Sequence, residues 1–438
     1  MKLLKFLAAN LSKASCSSAK SVAPWCRCLF TDASLGLDGF DVYRSDKINS
    51  MVLPKERFWK RVEHYNRPET KIMIFSEDIK AALALAETKK EIAEVTLLCR
   101  HGKYYEQCKK IGLFVFHFGP VLMRLLHRFN CAEEAYAELQ EHSTEAHNYL
   151  TSFKVGMDLL FESGKYQEML NVWETYKKNE FLFKKNPYPR SMQIFIPAAC
   201  YKLNSPESFD FVINFLRESS KVVSFIQSKG IVLSSALALR QDQVEMSYEI
   251  LSLVRNPEMY IAGRSLKLMI LARLQRLDEA MGLLESLLLA DLPVQNYQDR
   301  EIVFESLKTL IDEVEISGSP DQQATMGRLE QLLIDGRHVA KASLDEVLLA
   351  PVISAPSSPE VLEQASLEEQ AHLLPSEDLS YRKLTELAYK DDAPELEALG
   401  RFKQAEKMRR KEEKLLEAAA ERILEDGPPR GEQKGANR

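Results

Sequence analysis

The chain has 438 residues, a net charge of −6, 45% hydrophobic and 28% charged residues, enough apolar material for a large core and too much for a disordered chain. Its 17 glycines are about 4% of the residues against a usual ~7%, while the good helix formers Leu, Ala, Glu and Lys are common. That balance excludes a turn-rich β-sandwich or barrel as the main architecture and favours helices. No GxGxxG, GxxxxGKS, GxxxxGKT, HExxH or GxSxG string occurs, so the common marks of a nucleotide-dependent enzyme, a zincin or a serine hydrolase are missing.

Residues 1–30 carry Lys2, Lys5, Lys13, Lys20 and Arg27, several serines and no acid; the first acidic residue is Asp32. With Leu3, Leu4, Phe6, Leu7 and Leu11 on one helical face, this is the composition of a mitochondrial transit peptide. Acids are excluded because a positive helix is drawn toward a negative-inside membrane potential. Arg27-Cys28-Leu29-Phe30 looks like a matrix-processing site with cleavage near Phe30 or Thr31, and removing the five positive charges takes the net charge from −6 to −11. The most apolar window, 111–123, contains His117, Gly119 and Pro120 and is short of the ~20 residues that span a bilayer.

Residues 31–74 are expected to form an N-terminal segment. Its stretch 55–71 holds Lys55, Arg57, Lys60, Arg61, Arg67 and Lys71 among Phe58, Trp59 and Tyr65. Cations beside stackable rings suit single-stranded RNA; the alternative is an amphipathic helix whose aromatics pack on the first repeat. From about 75 to 310 a repeat runs through the chain. The turn residues Asn130, Gly164, Asn204, Gln241 and Gln275 are each followed five residues later by Ala135, Met169, Phe209, Met246 and Ala280, at steps of 34, 40, 37 and 34. Each unit reads as helix A, a tight turn and helix B, with apolar residues at three- and four-residue spacing. One pair cannot bury both its faces but stacked pairs can, so the expectation is an all-α superhelical solenoid. Lys177, Lys178, Lys184, Lys185 and Arg190 fall in a long loop after one helix B, either a basic patch or a solvated loop. Cys99, Cys131 and Cys200 sit in apolar helical contexts as free core thiols, and the eight histidines show no metal-ligand spacing.

The repeat length, together with the strings FGPVLMRL (118–125), Thr151-Ser152-Phe153 with GKY (164–166), and YKLNSPESF (201–209), resembles the pentatricopeptide repeat family of mitochondrial proteins. The resemblance implies a right-handed superhelix of degenerate helix pairs, a role in mitochondrial RNA maturation that supports the respiratory chain, mitochondrial RNA and RNA-processing proteins as partners, and no catalytic site, cofactor, metal or small-molecule substrate. In such arrays a repeat reads a base from near the start of helix A. Counting back ten residues from each turn gives Pro120, Lys154, Ile194, Ile231 and Ser265, of which Ser265 has the usual reading chemistry and Lys154 can reach a phosphate or base. The candidate RNA contacts are therefore Lys154, Ser265, Lys60, Arg61, Lys184 and Lys185. The degraded reading positions and acidic balance leave a protein-binding scaffold as the alternative. After the array come a helical cap (311–349) with a Ser343/Glu346 capping box, a proline-containing linker (350–394), a charged helix (395–426) and a disordered tail (427–438).

Overall fold

The computed structural model describes residues 29–352, apart from 51–53, 68–72, 101–102, 112–116, 141–148, 224 and 290–300. Residues 1–28 of the expected address, and the linker, charged helix and tail beyond residue 352, lie outside the described residues. Within them are 20 α-helices, one 3-10 turn and two two-residue strands. An N-terminal segment contributes α1 (Asp32–Leu35), α2 (Leu37–Asn49) and α3 (Lys55–Tyr65). Then come the pair α4 (Ser76–Leu85) and α5 (Lys89–Arg100), the helix α6 (Lys103–Ile111), and the pairs α7 (Gly119–Arg128) with α8 (Ala132–Gln140) and α9 (Leu150–Glu162) with α10 (Tyr166–Lys178). After the short α11 (Glu180–Lys185) follow α12 (Met192–Leu203) with α13 (Pro206–Val222), α14 (Ser228–Arg240) with α15 (Val244–Leu251), and α16 (Ile261–Arg273) with α17 (Leu277–Leu289). The boundary expected at 310 falls inside α18 (Phe304–Ser317), which pairs with α19 (Pro320–Asp335) as the earlier helices pair. α20 (Leu344–Leu349) follows, started by the expected Ser343/Glu346 capping box. The chain is an all-helical repeat solenoid.

In the five middle pairs the joint between helices A and B has the same backbone conformation. Asn130, Gly164, Asn204, Asp242 and Gln275 take the left-handed backbone, with φ of 52°, 74°, 47°, 55° and 59°. In four of these turns the next amide reaches back to close the helix: Cys131 N–H to Leu126 O, Lys165 N–H to Leu160 O, Gln243 N–H to Ala238 O and Arg276 N–H to Leu271 O, each 2.9 Å. The fourth turn corrects the sequence reading, because Asp242 and not Gln241 carries the positive φ. One residue rotates a helical position by about 100°. Met246 is accordingly 38% exposed, and Ser247 is the inward residue, wholly buried with its hydroxyl 3.0 Å from that of Ser235. In the third pair Phe209 is half-buried and Ser208 faces inward, locked in a capping box with Ser205. Polar side chains also tie consecutive turns together: Gln241 donates to the Asn204 side chain at 2.8 Å and Arg273 to Asp242 at 3.2 Å.

The A helices form a middle layer. Ten consecutive residues are buried in α12 (192–201) and ten in α14 (230–239), whereas helices such as α13 bury only a stripe. A helix apolar on every side must be covered on every side. The B helices cover one side, and residues 29–49 and 339–352 cover the rest. Phe30 packs on Phe195 at 4.9 Å between ring centres, and Arg124 Nε donates to Leu35 O at 2.9 Å. At the other end, the Tyr201 hydroxyl and Arg240 both reach Asp345 at 2.5 Å, and α20 packs on α14 and α16. The two segments meet where Val352 N–H donates to Leu29 O at 3.0 Å, and the strands Ile302–Val303 and Val339–Ala340 pair in parallel beside them.

Two outcomes follow from this packing. At Gly230 an added Cβ would lie 2.0 Å from the Gln193 carbonyl oxygen, so neighbouring A helices touch backbone to side-chain site. Gly230→Ala is expected to lower unfolding free energy by about 2 kcal/mol or more, measured by urea denaturation. Burial raises the Asp345 carboxyl, but the Tyr201 hydroxyl and Arg240 outweigh it and hold it below the ordinary carboxylate range. Its contribution is present above the unfolded value of about 3.9 and lost as pH falls through the lower folded value. Asp345→Asn is therefore expected to cost about 1 kcal/mol at neutral pH, modest because the side chain is 44% exposed, with the deficit shrinking as pH falls below the unfolded value.

Candidate nucleic-acid interface

The positions expected to read RNA along the helix-A row are occupied internally. Ser265 is wholly buried, and its hydroxyl accepts the Val303 N–H at 3.0 Å. Ile194 and Ile231 are 3% and 4% exposed. Lys154 donates to the Ser34 carbonyl, and its ammonium sits 4.9 Å above the Phe30 ring. The physical reason is the covering segment 29–49 and 339–352, whose distant sequence position gave no sign that it returns over the array. A base cannot reach Ser265 while that cover is in place, and the half-buried Lys154 ammonium is already engaged with it.

On α3, Phe58, Val62 and Tyr65 are buried and the basic residues face out, so the helix packs its aromatics as an amphipathic element. Arg61 pairs with Asp78 at 2.6 Å and lies over the Phe58 ring at 5.5 Å, while Tyr65 donates to the other Asp78 oxygen at 2.9 Å. Burial pushes the Asp78 carboxyl up, and Arg61 and Tyr65 pull it only part of the way back. Arg61 is thus committed to a structural carboxylate, whereas Lys60 is exposed. Arg61→Ala is expected to destabilise the fold by about 2 kcal/mol because it strands a buried charge, while Lys60→Ala changes stability by less than about 0.5 kcal/mol; thermal melts of the two variants check this.

The second basic run is better built than a loop. Residues 180–185 form α11, capped by the Asn179 side chain, which accepts the Leu182 N–H at 3.2 Å. Beneath it Trp173, Tyr176, Phe183, Tyr188 and Phe215 pack ring to ring at 5.2–6.4 Å, and the Tyr176 hydroxyl donates to Asn186 O at 2.7 Å. Phe181 is 64% exposed on α11, with Lys184 and Lys185 exposed three and four residues on, and Lys178 and Arg190 exposed in the flanking chain. Lys184 also makes an exposed i,i+4 pair with Glu180 at 2.8 Å. Phe181 was not singled out by the sequence; its signal is an aromatic ring between lysines, next to a run of rings that spend their faces on one another.

A cluster that spacing could not reveal joins two consecutive A helices. His127 Nε2 lies 3.2 Å from Asp158 Oδ2 and 3.8 Å from Glu162 Oε2, and the three ligand atoms lie within 4.8 Å of one another. Burial pushes Asp158 up, opposed by His127 and the N–H groups of Phe30 and Leu29; burial and the Asp158 charge push Glu162 up. Cys99, Cys108, Cys131 and Cys200 are free and buried, and among the described residues no helix is long and apolar enough to cross a membrane.

No family model matches the chain. Among curated proteins it is 31% identical over 157 residues to the pentatricopeptide repeat-containing protein 2, mitochondrial, of Homo sapiens, covering 36% of this chain and 39% of that one. It is 23% identical over 261 residues to the protein of that name from Xenopus laevis (59% of this chain, 66% of the other) and 27% identical over 272 residues to that of Mus musculus (60% and 67%). The chain thus spans about two fifths of the human relative's length and about two thirds of the frog and mouse relatives'. The relatives are named as mitochondrial proteins, which supports a mitochondrial location. These matches and the helix-pair repeat make the chain similar to the mitochondrial pentatricopeptide repeat-containing protein 2 of these vertebrates.

Proposed function

We propose that this chain is a non-catalytic mitochondrial RNA maturation factor, acting in the matrix on transcript processing or stability and so supporting the respiratory chain. The relatives' names and the helical-repeat fold support the class. The observation that carries the surface is α11: an exposed ring, Phe181, three and four residues before exposed Lys184 and Lys185, next in the chain to a packed aromatic cluster. A base stacks on such a ring whatever its identity, while the lysines follow the phosphates, so the contact is to single-stranded RNA with little sequence preference. Lys60 extends the exposed basic residues on α3. The RNA is held or shielded for a separate processing protein, since neither the repeat scaffold nor its relatives point to an enzyme.

Filter binding of mitochondrial transcripts tests this. Phe181→Ala with Lys185→Glu is expected to weaken binding about tenfold or more and to flatten its salt dependence, whereas Ser265→Ala leaves both unchanged. Equal binding by wild type and the α11 variant would sink the assignment. The covered helix-A face favours a second reading, a protein-binding scaffold; capture of protein but no RNA by crosslinking in intact mitochondria would establish that reading instead.

A further inference from the structure

Leu29 and Phe30 directly follow Arg27-Cys28 in the stretch that looks like a processing site, yet both belong to the core. Leu29 is wholly buried and Phe30 is 6% exposed. The Phe30 ring meets Phe195 and lies under the Lys154 ammonium, each at 4.9 Å, and Leu29 O accepts the Val352 N–H at 3.0 Å. A cut after Phe30 would remove the residues that join the two covering segments. A cut between Cys28 and Leu29 keeps every one of these contacts.

The backbone N–H groups of Leu29 and Phe30 face the carboxylate of Asp158, which is 0% exposed. Asp158 Oδ2 has His127 at 3.2 Å, but Oδ1 is buried with no hydrogen-bond partner. Glu162 leans on the same imidazole nitrogen at 3.8 Å. Two carboxylates therefore share one histidine. The next cation, Arg128, is engaged elsewhere, with Asp32 at 2.8 Å and Asp41 at 2.5 Å. A buried carboxylate oxygen without a donor is costly and rare, and the carboxylate that carries it faces the nitrogen that a cut before Leu29 would turn into an amine.

We propose that processing hydrolyses the Cys28–Leu29 bond and that the new α-ammonium of Leu29 pairs with Asp158, locking the N-terminal segment over the helix-A row. One water is consumed: the Cys28 carbonyl carbon takes the hydroxyl, the Leu29 nitrogen takes a proton, and a second proton from solvent makes the ammonium. A free α-amine is half-protonated near pH 8, so a neighbouring carboxylate holds it charged. The ammonium has three donors where the amide had one, so it can serve both oxygens of the Asp158 carboxylate. The same three side chains are close enough for a divalent cation, but N–H donors aimed at Asp158 place positive ends where a metal needs lone pairs. The inference rests on import into mitochondria and not on RNA binding.

The test treats the full chain with purified mitochondrial processing peptidase, followed by N-terminal sequencing and thermal melting. The expected product starts at Leu29, and cleavage raises Tm by about 2 °C in the wild type and not in Asp158→Asn. Should Asp158→Asn fail to fold, carbamylation of the α-amine by cyanate replaces it: the native cleaved chain is expected to react about tenfold or more slowly than the urea-unfolded one. A product starting elsewhere, or no cut, overturns the proposal. So does an equal rise in Tm for the variant, an α-amine that reacts equally fast in both states, or stoichiometric zinc stabilising the uncleaved chain as much as cleavage does. A chain that binds no RNA leaves all these outcomes unaffected.

Discussion

A helix that is apolar on every side has to be covered on every side, and the rest of this molecule is arranged around that requirement. α12 and α14 each bury ten residues in a row, so a single partner helix cannot shield them. Helix B takes one side and the neighbouring A helices take the flanks. What is left is closed by segments from both ends of the described chain, 29–49 and 339–352. Had the A helices carried one polar face, the array would have been two layers deep and its inner face open to ligands.

The polar contacts at the cover follow from the same requirement. A segment laid across helix A buries its own backbone, and buried carbonyls need donors. Arg124 supplies one to Leu35 and Lys154 one to Ser34; Arg264 does the same for Glu301, just before the first strand, at 2.7 Å. Of these cations Lys154 was a candidate RNA contact in the sequence, and in the fold it is a backbone donor. Exposed basic residues remain on α3 and α11, among them Lys60, Lys184 and Lys185.

Much of the array was legible beforehand because its signals are local. A left-handed residue at a helix end is favoured in Asn and Gly, so Asn130, Gly164 and Asn204 marked their turns. Where Gln241 and Asp242 competed, side-chain type did not decide, and the reading slipped by one residue. That slip moved Met246 inward in expectation and left Ser247 unnoticed, since a buried serine gives no hydrophobic signal; its hydroxyl is satisfied by Ser235. The basic patches were legible as charge but not as geometry. Arg61 and Lys60 are neighbours in the chain, and only packing sends one to a buried aspartate and the other to solvent.

The sequence by itself determined an all-helical chain of repeated helix pairs, the places where the pairs turn, the caps at Ser205 and Ser343, and the buried thiols, because each depends on residues within one or two turns of one another. Only the tertiary structure decided what lies over the helix-A row, that Ser265 and Lys154 are spent inside the protein, and that His127, Asp158 and Glu162 meet beside Leu29. Those facts depend on contacts between residues dozens to hundreds of positions apart. No local periodicity encodes them: they come from the need to bury every side of helix A with whatever chain remains.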